Sequence, residues 1–211
     1  MIYMLARMES KGHTSGSYLD GLRLLARERV VIALFLATIL VVGLEAGTGG
    51  LLTTFLMELR GFTQVTSKIG LVVFGLGIAT GRLVVGLLTR RERIIRTLVG
   101  LFALSALAFS LLYFVDLGIL TYAAIFLSGA AISAILPLMI ALAGMLYPAV
   151  AGTVVGTIKI AIPLGGILIP ALLAFVAGAA SFQQSLFIFP LVSLAGCLVL
   201  SISLRGLRLP A

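Results

Sequence analysis

The sequence predicts an all-helical integral membrane protein that crosses the bilayer six times. Three observations carry that prediction. Hydrophobic residues make up 61% of the 211 and charged residues only 10%, with a mean hydropathy of +1.26, whereas a soluble domain carries about 25% charged residues. The apolar residues gather in six runs, each near the roughly 20 residues needed to cross hydrocarbon. The basic residues gather in a few clusters outside those runs, mostly on one side. A soluble globular domain and a disordered chain are both excluded by these proportions. Isolated strands cannot cross lipid, and no ten-residue alternation suggests a barrel, so the runs are read as helices.

Residues 1–29 differ in kind from the rest. Glu9 to Ser17 is polar and rich in Gly and Ser, as in a flexible linker. From Leu19 to Arg29, Leu19, Leu22, Leu25 and Ala26 make an apolar stripe at helical spacing, and Arg23, Arg27 and Arg29 fill much of the other face. The spacing predicts a short helix lying on the membrane surface. The apolar stretch Met1–Leu5 is too short for a signal-peptide core, so no cleaved signal is expected.

The six runs are placed at Val30–Met57, Ile69–Leu88, Thr97–Val115, Ile119–Leu142, Gly152–Ala177 and Gln183–Leu204. The first exceeds a perpendicular span, so it is expected to tilt or project into water. Runs 3 and 6 are expected to face lipid. Leu98–Leu112, for example, is nearly all large apolar residues, with one Gly and two Ser. Runs 1, 2, 4 and 5 are expected to turn Gly-rich or polar faces toward a cavity or a partner. Residues 30–204 thus form one membrane domain, followed by a short tail at 205–211.

Eleven Lys and Arg fall in the N-terminal segment, in the loop between runs 2 and 3, and in the C-terminal tail; only Arg60 and Lys68 lie on the opposite side. The positive-inside rule then puts both termini in the cytoplasm of a plasma-membrane protein, which requires an even number of spans. The +8 net charge is read as topology and contact with the lipid bilayer. It is not read as a nucleic-acid face, because the basic clusters carry no interleaved aromatics.

A faint internal repeat is present. Gly81 to Leu88 in run 2 resembles Gly165 to Leu172 in run 5, and the glycines Gly43 and Gly47 in run 1 fall opposite the Gly129–Ser133 region of run 4. Three spans per repeat would make two inverted repeats, 30–115 and 119–204, as in many secondary transporters. The alternative is a chance match between glycine-rich helices.

Three charges fall inside the runs. Each costs about 3 kcal/mol in hydrocarbon on insertion scales, so each needs a partner, water or a function. Glu45 lies near mid-membrane among Gly43, Gly47, Gly49 and Gly50, where a carboxyl group suits reversible protonation or solute binding. The plainer alternative is a structural hydrogen bond to a neighbouring helix. Lys159 is either a counter-charge to Glu45 or to an anionic solute, or a side chain that snorkels to the surface. Arg82, about 12 Å from the cytoplasmic surface by helical rise, is expected to hold carbonyls or a helix end on a neighbouring helix. Gly43, Gly47, Pro137, Pro163 and Pro170 are candidate helix breaks, since proline removes a donor and glycine lets a helix loosen.

Enzymatic classes find little support. The only His, His13, lies in the polar N-terminal segment and the only Cys is Cys197, so no His- or Cys-based catalytic or metal site is expected in the membrane. Asp20 and Asp116 lie outside the runs or at an edge, which leaves no paired intramembrane aspartates. No G-x-x-x-x-G-K-[ST] loop is present. No cofactor is expected.

The stretch Gly81 to Arg93 resembles the helix 2–3 or 8–9 loop motif of the major facilitator superfamily, roughly G-x-L-x-D-R-x-G-R-R. Gly86, Leu88 and Arg91 match it, while Arg90 stands where the Asp is expected and Arg93 where a Gly is expected. Gly43 to Phe55 is similar to that family's seventh helix, especially in the fucose and glucose/galactose symporter branch. Leu136 to Leu142 and Gly165 to Pro170 are similar to its tenth and eleventh. The resemblance spans about residues 20–204 and implies the C-terminal six-helix half of a major-facilitator fold. It further implies a proton-coupled symporter half moving a small solute, a sugar first, with a second six-helix half or a homodimer mate. In it, Glu45 and Lys159 would serve coupling or binding, and Gly81, Arg82, Gly86, Arg90 and Arg91 would form a gating motif. The alternative is a non-transporting or degenerate membrane subunit that only packs with a partner.

Overall fold

The computed structural model describes residues 28–205 and 207; the expected surface helix at residues 19–29 lies almost wholly outside them. Six helical spans are long and apolar enough to cross a membrane, and no strand occurs among the described residues. Span 1 is α1 (Arg29–Arg60) and span 2 is α2 (Gln64–Leu88). Span 3 is α3 (Ile94–Phe114), entered through a 3-10 turn at Arg91–Arg93. Span 4 is α4 (Thr121–Ser133) followed by α5 (Ile135–Leu146). Span 5 is α6 (Ala151–Ala179), and span 6 is α7 (Phe182–Ser185) with α8 (Ile188–Ser203).

The ends follow local chemistry. Gly61 closes span 1 in the left-handed region at φ 67°, where its amide bonds back to Leu56 O. Thr63 caps span 2, its hydroxyl accepting from the Thr66 amide. The buried polar residues are all Ser or Thr. Most of them, such as Thr38, Thr48, Ser128 and Ser193, donate to a carbonyl one turn earlier in their own helix. That bond is what lets a hydroxyl sit in an apolar bundle without an external partner.

Packing is set by where the large side chains fall. Span 1 packs along span 5, span 2 along span 4, and span 3 along span 6; spans 3 and 4, 6 and 1, 1 and 2, and 4 and 5 also touch. Glycines carry the closest crossings. A Cβ on Gly43 would run into Ile169, one on Gly165 into the backbone of Ile39, and one on Gly81 into the backbone of Ala130. Between helices in lipid there is little hydrophobic drive, so such backbone approach is a main source of attraction.

Two expectations are corrected here. Spans 3 and 6 do not turn most of their surface outward, while spans 2 and 5 carry the open faces expected of helices that meet a cavity or a partner. Half of the apolar window in each is buried, against 17% in span 2 and 22% in span 5. The reason is that spans 3 and 6 supply the aromatic centre: Phe109, Tyr113 and Phe189 stack on one another within 6 Å, with Phe55 of span 1 edge-on to Tyr113. Span 2 buries only the narrow stripe Ser67, Gly70, Phe74, Gly77 and Gly81, leaving Val72, Leu76, Leu83 and Leu87 exposed. The second correction concerns the helix breaks. Span 1 runs unbroken through Gly43 and Gly47, and span 5 through Pro163 and Pro170. Gly43 and Gly47 serve close packing on span 5, where a Cβ on Gly47 would stand 2.8 Å from Leu173. Span 4 is interrupted at Ala134, three residues before Pro137, and span 6 at Leu186–Phe187, shortly before Pro190.

Candidate functional site

A proline at position i cannot donate the helical bond to the carbonyl at i−4. Pro137 therefore withholds a donor from Ser133 O, the last carbonyl of α4. The Arg82 guanidinium supplies one: its Nε donates to Ser133 O at 3.2 Å. Gly81, the neighbouring residue, sits with no side chain against Ala130 and Ser133, so span 2 comes close enough for the arginine to reach. Arg82 thus holds the end of a helix segment on a neighbouring span, as its position in run 2 suggests. The carbonyl end of a helix carries partial negative charge, which favours a cation there.

The other end of the same guanidinium meets Glu45. Nη2 of Arg82 lies 3.7 Å from Oε1 of Glu45, and the side chains remain 48% and 38% exposed. This is the only ion pair among the described residues. The distance is longer than the 2.7–2.9 Å of a tight charge-assisted hydrogen bond. Arg82 is anchored by Ser133, while Glu45 is held loosely. Glu45 lies at the middle of the 32-residue α1, with Ala46, Gly49 and Gly50 exposed beside it. No atom stands within 4 Å of where a side chain on Gly49 or Gly50 would begin.

Lys159 does not join this pair. Gly43 packs on Ile169 and Gly47 on Leu173, so spans 1 and 5 run parallel with a register offset near 126. In that register Lys159 stands about twelve residues, or about 18 Å, below Glu45 along the bundle. It is exposed and makes no ion pair among the described residues. The motif residues are likewise dispersed. Gly81 is buried at a helix crossing, Gly86 is exposed with open space around it, and Arg90 and Arg91 lie exposed where the chain enters the 3-10 turn.

Ser133 is the participant that the sequence reading passes over. The signal was present in Pro137, whose missing donor points four residues back. Arg60 was counted there only as a loop charge. Its Nη2 donates to Val115 O at 2.8 Å and lies 3.3 Å and 3.4 Å from the carbonyls of Tyr113 and Leu112. It closes the C-terminal end of span 3, and its guanidinium sits 5.2 Å from the Phe55 ring centroid. Arg29 does the same for span 6 through Ile202 O at 3.3 Å. Three arginines therefore each serve the carbonyl end of another helix. Neither a protein-family model nor a curated protein matches the chain.

Proposed function

We propose that the chain is one six-helix half of a secondary transporter of the major-facilitator type, moving a small solute by alternating access against a second six-helix unit. The observation that carries this reading is the half-exposed Glu45–Arg82 pair at the middle of span 1. Charged groups at that depth are costly against lipid. The face that bears them calls for a covering of water or protein, and a water-filled path between two units supplies both. The same face includes span 2, the least buried helix.

The packing pattern supports the inverted-repeat reading. Exchanging spans 1, 2 and 3 for 4, 5 and 6 turns the helix contacts into one another, except that spans 5 and 6 touch where spans 2 and 3 make no comparable contact. The glycines matched in sequence, Gly81 with Gly165 and Gly43 with Gly129, all lie at close crossings. Within this reading both termini face the cytoplasm, the plasma membrane is the site of action, and Glu45 is the coupling group. The resemblance to sugar symporters makes a sugar one substrate class.

The test is uptake into proteoliposomes holding the chain with any unit that co-purifies. Glu45→Gln mimics the protonated acid in shape. It should abolish proton-driven accumulation while leaving exchange, which needs no net proton movement. Unchanged uphill transport in Glu45→Gln would remove Glu45 from the mechanism. An assembled complex with no flux under any gradient would leave the non-transporting subunit as the better reading.

A further inference from the structure

We infer that the solute taken at this site is a small monocarboxylate, carried together with one proton. The inference rests on the transporter reading and deepens it. Its basis is the asymmetry of the ion pair. Arg82 is fixed by its bond to Ser133 O, a carbonyl that Pro137 leaves without its helical donor. A guanidinium does not lose its proton in a protein, so the positive charge is permanent. Glu45 is the partner that yields, at 3.7 Å and with much of its side chain open.

No other charge near the pair replaces Glu45 when it is neutral. Span 1 has no further charged residue between Arg29 and Glu58, and span 2 contributes only Lys68, about four turns away. Spans 4 and 6 carry none in Thr121–Leu146 and Phe182–Ser203. Span 5 carries only Lys159, and span 3 only Arg96 in its first turn. Protonation of Glu45 therefore leaves the Arg82 cation with no counter-charge among the described residues. A neutral sugar would leave that charge unpaired, and a dianion would overcompensate it. A monocarboxylate replaces one carboxylate by another, and the planar guanidinium fits it well. Gly49 and Gly86, each one turn beyond a member of the pair, are exposed with open space where a side chain would begin, which leaves room for a short apolar body.

The cycle balances. A proton from one compartment binds a Glu45 carboxylate oxygen, and the contact with Arg82 is released. The substrate carboxylate accepts the freed guanidinium N–H. On the other side the proton leaves Glu45, which pairs with Arg82 again and expels the anion. One proton and one monoanion cross, with no net charge moved.

The experiment uses the full chain, with any co-purifying unit, in lipid nanodiscs. Calorimetry measures binding of lactate, pyruvate and 3-hydroxybutyrate against glucose, galactose and fucose. Glu45→Gln should bind at least one acid on the order of tenfold more tightly than the unaltered chain does at pH 8. Arg82→Gln should lose it, and Arg82→Lys should keep part of the affinity. Failure of Glu45→Gln to bind any of the acids overturns the inference, even where Arg82→Gln does not fold. Uptake assays on the same six compounds separate the two readings. Hexose uptake without acid uptake sinks the monocarboxylate and keeps the transporter; absence of all uptake sinks both.

Discussion

Arg82 and Ser133 stand 51 residues apart in sequence, yet the guanidinium of the first donates to the main-chain carbonyl of the second at 3.2 Å. Pro137 makes that carbonyl available, and Gly81 lets span 2 come near enough to use it. A helix interruption, a glycine contact and an arginine thus form one unit.

That unit predicts non-additive stability. Arg82→Gln should cost about 1–2 kcal/mol, the range for hydrogen bonds between membrane helices. Pro137→Ala restores an amide four residues after Ser133, so the carbonyl regains a helical donor. In the Pro137→Ala background the cost of Arg82→Gln should fall to less than half. A double-mutant cycle read by thermal or denaturant unfolding in detergent decides it, and strict additivity would refute the coupling.

The glycines divide into two kinds with opposite expected outcomes. Gly43 and Gly165 sit at the crossing of spans 1 and 5, where added side chains meet backbone or a branched side chain. Leu at either position should destabilise the bundle by about 1–3 kcal/mol or more, as overpacking does in cores. Gly49 faces open space, so Gly49→Leu should fold normally. If that face receives a second unit, the same variant should lose assembly or flux, as read by cross-linking and uptake.

Arg60 should matter beyond its charge. It serves the last carbonyls of span 3 from the end of span 1. Arg60→Gln should cost about 1 kcal/mol and speed amide exchange around Phe114 and Val115. Arg60→Lys should recover only part of this, because an ammonium lacks the planar fork that reaches several carbonyls at once.

The charge asymmetry predicts the topology directly. In a background with Cys197 replaced by Ser, Thr63→Cys and Gly118→Cys should react with an impermeant maleimide added to intact cells. Arg93→Cys should react only after lysis. External labelling of Arg93→Cys would reverse the arrangement and the assignment of both termini.

Tyr147, in the loop between spans 4 and 5, titrates above its ordinary value near 10, through burial first and the nearby Glu28 charge second. Its stabilising contribution is complete below pH 10, where both folded and unfolded phenols are neutral. It is lost as pH rises through the higher folded value, because the unfolded phenol ionises first. Unfolding measured between pH 9 and 11 should show this loss, and Tyr147→Phe should flatten it.

The sequence by itself determined the class of molecule and the spans. Composition, the six runs and the clustered arginines follow from the cost of exposing backbone and charge to hydrocarbon, and that cost acts on each helix separately. It also singled out Glu45, Arg82 and Lys159, because a charge in an apolar run is visible without a fold. Tertiary structure alone decided which of them meet. Glu45 pairs with Arg82 and not with Lys159 because the Gly43–Ile169 and Gly47–Leu173 contacts set the register of span 5 on span 1. It also decided which helices fill the centre. Large apolar residues surround runs 3 and 6 with only scattered Ser and Gly between them, so hydropathy gave little sign of which face is inside. The aromatic stack around Tyr113 and Phe189 depends on helix rotation and neighbour choice. Those are fixed by shape between distant segments, where lipid and protein interior are equally apolar and hydropathy cannot tell them apart.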